Sequence, residues 1–296
     1  MAWRSSGSSN AALVENMWDH GLLTSPIVKA AFLKVDRAHY APSAPYQDSP
    51  QSIGHGATIS APHMHANAVE SLLEYVLPAV AVAGTGDASA IKDGEGREVA
   101  PGRKDSKIDD EVAGLDVEGV RGRPRRVLDI GSGSGYLTHV MAELAGEGSV
   151  VVGIEHIDEL RDLGEANMAK SPEGRALLES GRVRFRVGDG RKGWSEPSPG
   201  DALPGVGGKA TSGSRDEGEE GGWDAIHVGA AALELHQELV DQLRSPGRMF
   251  IPVGGKDGWD QFIWTVDKDR KGKVTKKKLY GVRYVPLTDA PARRRS

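Results

Sequence analysis

A short apolar strand that runs directly into three alternating glycines, Val127-Leu128-Asp129-Ile130-Gly131-Ser132-Gly133-Ser134-Gly135, restricts this chain more than any other feature. Glycine tolerates positive φ and lets a ligand approach the backbone, and the helical pattern Tyr136 to Ala145 follows at once. Such a strand, turn and helix form a ligand site, because the first N–H groups of a helix lack intrahelical partners. The spacing is G-x-G-x-G, whereas the dinucleotide fingerprint is G-x-G-x-x-G. Asp129, two positions before the first glycine, suits a cationic ligand such as the amino group of an amino acid and would repel a pyrophosphate.

Around this unit, short apolar runs alternate with amphipathic helices. Strands are expected at Arg126 to Ile130, Ser149 to Glu155, Arg182 to Val187, Trp223 to Val228 and Arg248 to Val253. Helices are expected at Tyr136 to Ala145, Asp158 to Lys170 and Leu233 to Arg244. That alternation implies a mainly parallel sheet covered on both faces. Two further strands, Gln261 to Asp267 and Lys278 to Val285, have no helix between them and should close one edge as an antiparallel hairpin. The fold class is therefore α/β, a Rossmann-like, doubly wound, seven-stranded sheet. Ahead of it lies an N-terminal helical extension: two helices within Ser9 to Tyr40, a proline-rich, loop-like stretch Ala41 to Pro62, and a helix His65 to Leu77 ended by Pro78.

Two stretches, 79–124 and 195–222, contain no Phe, Tyr or Trp and are crowded with Gly, Ser, Pro and charge. They have too little apolar area to offset the entropy of ordering, so they read as flexible insertions in a single domain spanning 1–296. About 220 residues remain for that domain, a comfortable size for one core. Of the net charge of -5, the insertions account for more than all, with 16 acidic and 9 basic side chains. The folded part is near neutral and lacks the basic excess of a nucleic-acid binder, and the basic run Lys268 to Lys278 reads as a solvated hairpin. The absence of cysteine excludes disulfides, thiolate nucleophiles and cysteine-ligated zinc. His55, His63 and His65 lie close together but lack the further ligands zinc would need, so no metal is expected. No apolar run approaches the ~18 residues of a membrane span, and Met1 to Asn10 has no secretory core, so a cytoplasmic protein without membrane partners is the expectation.

Open α/β sheets bind ligands beyond the carboxyl ends of their strands. Glu155 ends the second strand, where an acidic side chain can take both hydroxyls of a ribose. Asp189-Gly190 follows the third strand and could meet an adenine edge, although on its own a plain Asp-Gly turn is the better reading. Arg126 to Val253 resembles the class I S-adenosylmethionine-dependent methyltransferases. An adenine-N6 enzyme would carry an Asn-Pro-Pro-Tyr string after the fourth strand, and a cytosine-5 enzyme would need a cysteine. A methyltransferase of small molecules, a nicotinamide oxidoreductase and a non-catalytic binding protein are the remaining alternatives.

The resemblance narrows with several longer strings: Met1-Ala2-Trp3, Asp36-Arg37-Ala38-His39-Tyr40, Asp48 to Gly54, Ala57 to His65, His227 to Ala232, and Tyr284-Val285-Pro286-Leu287-Thr288-Asp289. These are similar to the protein-L-isoaspartate O-methyltransferases. The resemblance implies methyl transfer from S-adenosyl-L-methionine to the free α-carboxylate of L-isoaspartyl, and of D-aspartyl, residues in damaged proteins, starting repair through a succinimide. It further implies a monomer whose cofactor site draws on Ala57, Thr58, Ile59, Ser60, His65, Asp129, Gly131, Gly133, Glu155, Asp189, Gly190 and Thr288, with Ser60 in the active-site position. Locally, Ser60 also reads as a cap for the following helix. Two departures stand out: Glu155 occupies a place where Asp is also common, and His55-Gly56 replaces a bulkier pair.

Overall fold

The computed structural model describes residues 5–80, 122–195, 222–254 and 260–287. Three helices open the chain: α1 (Asn10–Asp19), α2 (Pro26–Lys34) and α3 (Pro62–Val76). Each start has a local cause. Ser9 caps α1 by accepting from Ala12 N at 3.2 Å, and proline stands in the first turn of α2 and of α3. The carboxylate of Glu70 in α3 reaches back to accept from Thr24 N and Ser25 N at 2.8 and 2.9 Å, so one helix caps another.

The segment read as loop between α2 and α3 contains a two-stranded hairpin, β1 (Gln51–Gly54) with β2 (Ala57–Ile59). His55 and Gly56 form its tip with φ of 53° and 73°, the signature of a two-residue type I′ turn. Apolar alternation is faint there, since most of the hairpin is exposed, so the sequence pattern did not show it. Beyond α3, β3 (Ala79–Val80) pairs antiparallel with β4 (Gly122–Arg123), which brings together the two ends of the first stretch expected to be an insertion. The greater part of both expected insertions, 81–121 and 196–221, lies outside the described residues.

The main sheet is built from β5 (Arg126–Ile130), β6 (Val150–Glu155), β7 (Val183–Val187), β8 (Trp223–Val228), β9 (Leu243–Gly254), β10 (Gln261–Lys268) and β11 (Val274–Val282). Their order is β11-β10-β9-β8-β5-β6-β7, with the last five parallel and β10 and β11 antiparallel. This is the seven-stranded, doubly wound sheet expected. Helices α4 (Tyr136–Ala145), α5 (Asp158–Met168), α6 (Pro172–Glu179) and α7 (Gln237–Asp241) complete the described elements. Side chains of successive β5 residues divide between two cores, Val127 joining the cluster under α1 to α4 and Leu128 and Ile130 the cluster on the opposite face. Among the described residues no helix is long and apolar enough to cross a membrane.

Three expectations shift. The helix expected over Leu233 to Arg244 shrinks to five residues, because Leu243 pairs with Trp223 and begins β9 instead. The final strand starts at Val274 rather than Lys278, because Asp269 folds the turn by accepting from Lys271 N and Lys273 N at 2.8 and 2.9 Å. Helix α6 was not expected. It buries only Gly174 and Leu177, too few apolar positions to mark a face, although Ser171 caps it at 3.0 Å and proline leads it.

Candidate functional site

All three loop glycines have positive φ: 75° at Gly131, 51° at Gly133 and 83° at Gly135. A side chain at Gly135 would also press 2.8 Å from the carbonyl of Gly164, so α4 packs on α5 only with glycine there. The loop amides are already used inside the protein. Gly131 N and Ser132 N donate to Ile154 O at 2.8 and 3.1 Å, Gly135 N to Ser132 O at 2.8 Å, and Gly133 N to Oε1 of Glu155 at 2.7 Å. These four loop amides, all ahead of the helix that starts at Tyr136, are therefore not on offer to a ligand such as a pyrophosphate.

Beyond the strand ends, at the point where the order reverses between β5 and β8, lies a cavity of about 430 Å³. Ala57, Thr58, Gly131, Gly133, Glu155 and Gly190 line it. The buried Glu155 keeps Oε1 on Gly133 N and Oε2 near His156, whose Nδ1 is 3.4 Å away. That hydrogen bond holds the His156 pKa above its usual value, against the opposing effect of burial. Gly190 sits on the wall, while the Asp189 carboxylate turns to Arg191, which donates Nε to Oδ1 and a terminal nitrogen to Oδ2, each at 2.9 Å. The pairing with Arg191 lowers the Asp189 pKa.

A smaller cavity adjoins the first and shares Thr58, Gly131, Gly133 and Gly229 with it. Its wall brings Ile59, Ser60, His65, Asp129, Ser132 and His227 together. The buried Asp129 is committed on both oxygens: Oδ2 accepts from the Thr138 hydroxyl at 2.5 Å, and Oδ1 faces Nδ1 of His227 at 2.8 Å. His227 in turn stacks on Phe250 with ring centroids 6.1 Å apart. The Ser132 hydroxyl is buried and has no hydrogen-bond partner among the described residues. His65 is buried against Tyr136, ring centroids 5.2 Å apart, and burial, followed by the charge of Arg37, pushes its pKa well below the usual histidine value. The three clustered histidines diverge: His63 Nδ1 meets Asp48 Oδ1 at 2.7 Å, His65 turns to Arg37, and His55 is exposed at the hairpin tip.

Sequence reasoning missed His156, Ile157, Leu160 and Gly188 on the larger cavity, although three of them directly follow strand ends. It also missed how Val285 to Leu287 arrive there. Ala231 N donates to Val285 O, and Leu287 N to Ala231 O, both at 2.8 Å, so the C-terminal segment is clamped to the loop after β8. Thr288 lies outside the described residues.

The sequence model of the protein-L-isoaspartate(D-aspartate) O-methyltransferase family matches residues 8–91, 121–212 and 206–292. A Caenorhabditis elegans protein-L-isoaspartate O-methyltransferase is 37% identical over 97% of this chain and 96% of its own. Protein-L-isoaspartate O-methyltransferase 1 of Arabidopsis thaliana is 36% identical over 98% and 96%. Among solved structures, a Plasmodium falciparum protein described as a protein-L-isoaspartate O-methyltransferase, in complex with S-adenosyl-L-homocysteine, aligns with a TM-score of 0.66 at 26% identity, covering 96% of this chain and all of that one.

Proposed function

The chain belongs to the protein-L-isoaspartate(D-aspartate) O-methyltransferase family, and on that premise we propose the roles by which its residues transfer a methyl group from S-adenosylmethionine to the free α-carboxylate of isoaspartyl residues in damaged proteins. The residues fit that cofactor on two grounds: the Ser132 hydroxyl is an orphaned polar group waiting for a partner, and the glycine loop leaves space that a Cβ at Gly133, 3.3 Å from Ile53, would invade. Glu155, with lone pairs to spare beyond Gly133 N, would hold the ribose hydroxyls. Ala57, Thr58, Gly131, Gly133 and Gly190 would enclose the adenosine portion, and Ile59, Ser60, His65, Asp129 and Ser132 the amino-acid portion. Asp189 would reach the adenine edge only by sharing its carboxylate with Arg191, and Thr288 is assigned on sequence similarity alone.

One observation carries the reading: the two cavities share Thr58, Gly131, Gly133 and Gly229 in their walls, so Glu155 lines one of two adjoining spaces and Ser60 the other. The bound cofactor supplies an electrophilic methyl group on a sulfonium. No general base is required of the protein, since an α-carboxylate with an ordinary pKa near ~3.5 is already ionised at neutral pH. What the chain supplies is placement and dryness. The Ser60 hydroxyl orients the carboxylate, the hairpin β1–β2 offers main-chain groups to an extended peptide, and Val285 to Leu287 shut the far side from water. Because opposite charges meet and neutralise, a water-poor wall favours the reaction. A monomeric, cytoplasmic enzyme extends the proposal, and the near-neutral charge of the folded part speaks against nucleic acid or an anionic membrane surface as partner.

The test pairs isoaspartyl peptides of varied sequence with their aspartyl twins and follows methyl label released from the ester. Efficient methylation of the first and almost none of the second is expected; comparable rates would refute the repair function. Ser60→Ala should lower turnover while leaving S-adenosylhomocysteine affinity within a few fold, and equal turnover would refute the role given to that hydroxyl.

A further inference from the structure

Arg37 is fully buried, at 0% exposure, yet its guanidinium makes no hydrogen bond to a carboxylate among the described residues. The facing acid, Asp48, gives Oδ1 to His63 N and His63 Nδ1 at 3.0 and 2.7 Å. Burying a cation without an ion pair is costly, so the arrangement calls for a function. The contacts its guanidinium does make are to two residues of the smaller cavity's wall and to Tyr136. One terminal nitrogen donates to the carbonyl of Ser60 at 2.8 Å, the other meets Nδ1 of His65 at 3.4 Å, and the plane lies 5.2 Å over the Tyr136 ring.

A guanidinium can only donate. Nδ1 of His65 must therefore present a lone pair, which leaves the ring neutral with its proton on Nε2. Burial lowers the Arg37 pKa to about 10, still leaving it a cation at neutral pH, and the same burial and charge keep His65 uncharged. We propose that Arg37 is a positioning residue that makes the wall of Ser60 and His65 a receptor for a carboxylate, by tethering the Ser60 backbone and fixing the His65 proton on Nε2. The Ser60 hydroxyl and His65 Nε2–H then act as paired donors backed by a positive charge. The inference rests on the methyltransferase reading for the identity of the carboxylate, which belongs either to the amino-acid end of the cofactor or to the peptide substrate.

The experiment begins with the unmodified protein. Nitrogen-15 spectra of histidine-labelled enzyme, assigned with His65→Gln, should show His65 protonated on Nε2 and not titrating between about pH 5.5 and 8. A proton on Nδ1, or an ordinary titration, would overturn the proposal. In Arg37→Met the ring should become a mixture of tautomers, and ligand binding should weaken about tenfold. The source of the carboxylate shows in which ligand responds. A loss for S-adenosylhomocysteine but not for 5′-methylthioadenosine, which lacks the amino-acid end, points to the cofactor. A raised KM for isoaspartyl peptide with unchanged S-adenosylhomocysteine affinity points to the substrate.

Glutamine at position 65 carries an amide donor that needs no tautomer control. Adding Arg37→Met to His65→Gln should therefore cost clearly less than the tenfold loss seen with His65, the remainder being the Ser60 tether and the charge, and an equal tenfold loss in both backgrounds would overturn the tautomer control proposed for Arg37. If the methionine variant fails to fold, Arg37→Lys replaces it in the same cycle. One ammonium cannot serve both Ser60 and His65, so a loss of about threefold, abolished in the glutamine background, is expected, and full activity would overturn the proposal. The spectra and the S-adenosylhomocysteine affinities stay readable even if isoaspartyl methylation fails, which keeps the two claims separable.

Discussion

Asp129 and Glu155 carry the same charge near the carboxyl ends of neighbouring parallel strands, but their surroundings give them different work. Glu155 has one oxygen on Gly133 N and opens onto the larger cavity, so its loss removes charge-assisted hydrogen bonds worth about 1.5 to 3 kcal/mol. Glu155→Ala is expected to weaken S-adenosylhomocysteine binding about tenfold or more by calorimetry. Asp129 borders the smaller cavity but has both oxygens engaged by the protein, and Asp129→Ala strands the Thr138 hydroxyl and the His227 ring nitrogen in the core. A stability loss of about 1 to 3 kcal/mol per orphaned donor, read by urea unfolding, is expected. His156 adds a pH dependence. Its pKa is raised by Glu155, so the stabilisation is complete below the unfolded histidine value near ~6.5 and is lost as pH rises through the folded one. Melting temperatures between about pH 6 and 9 should show that loss in the native chain and not in His156→Ala.

The tip of the hairpin β1–β2 gives a local reason for His55-Gly56: both residues adopt the positive φ of a type I′ turn, for which a bulkier pair is poorly suited. His55→Asn should leave the melting temperature unchanged or slightly higher, whereas Gly56→Val forces a β-branched residue into the left-handed region and should cost about 1 to 2 kcal/mol with a raised peptide KM. Legibility in the sequence followed burial. Strands β5 and β8 were bounded to the residue because both are buried almost throughout, and α4 likewise. Exposed or short elements, such as β11 with Lys276 to Lys278 on the sheet edge, carry no apolar signal and slipped or went unseen. The cavity wall was legible where it follows a strand or a quoted string, as at Ser60 and Glu155. Arg37 and the Asp129–His227 pair were not, since long-range contacts, 28 and 98 residues apart, leave no local pattern.

At the end of the sheet opposite the cavities, the fully buried Asp224 gathers the chain. It accepts from Arg126 N at 2.8 Å, from Arg125 at 3.3 Å, from Arg244 at 2.9 Å and from Arg123, while Arg125 also donates to Leu77 O and Glu74 O at the end of α3. Removing one partner from such a cluster leaves buried charge unpaired, so Asp224→Ala should lose about 3 to 5 kcal/mol in chemical unfolding. The second excursion is closed at its root as well, where Trp223 Nε1 donates to Trp194 O at 2.9 Å. Loop length costs little, about 0.6 kcal/mol per doubling, so replacing 81–121 and 196–221 by short turns should leave the fold and S-adenosylhomocysteine binding intact. Loss of peptide methylation alone would make those segments part of the substrate site. The β3–β4 root also makes the first excursion a seam. A chain opened there separates into a leading piece that carries Ser60 and His65 and a trailing piece that carries Gly131, Glu155 and Gly190, each with part of the walls of the two cavities. Neither piece could turn over alone, and the hydrogen bonds of Arg125 to Leu77 O and Glu74 O across the seam would help reunite them, so methylation by the two co-expressed fragments would serve as a direct readout of complementation.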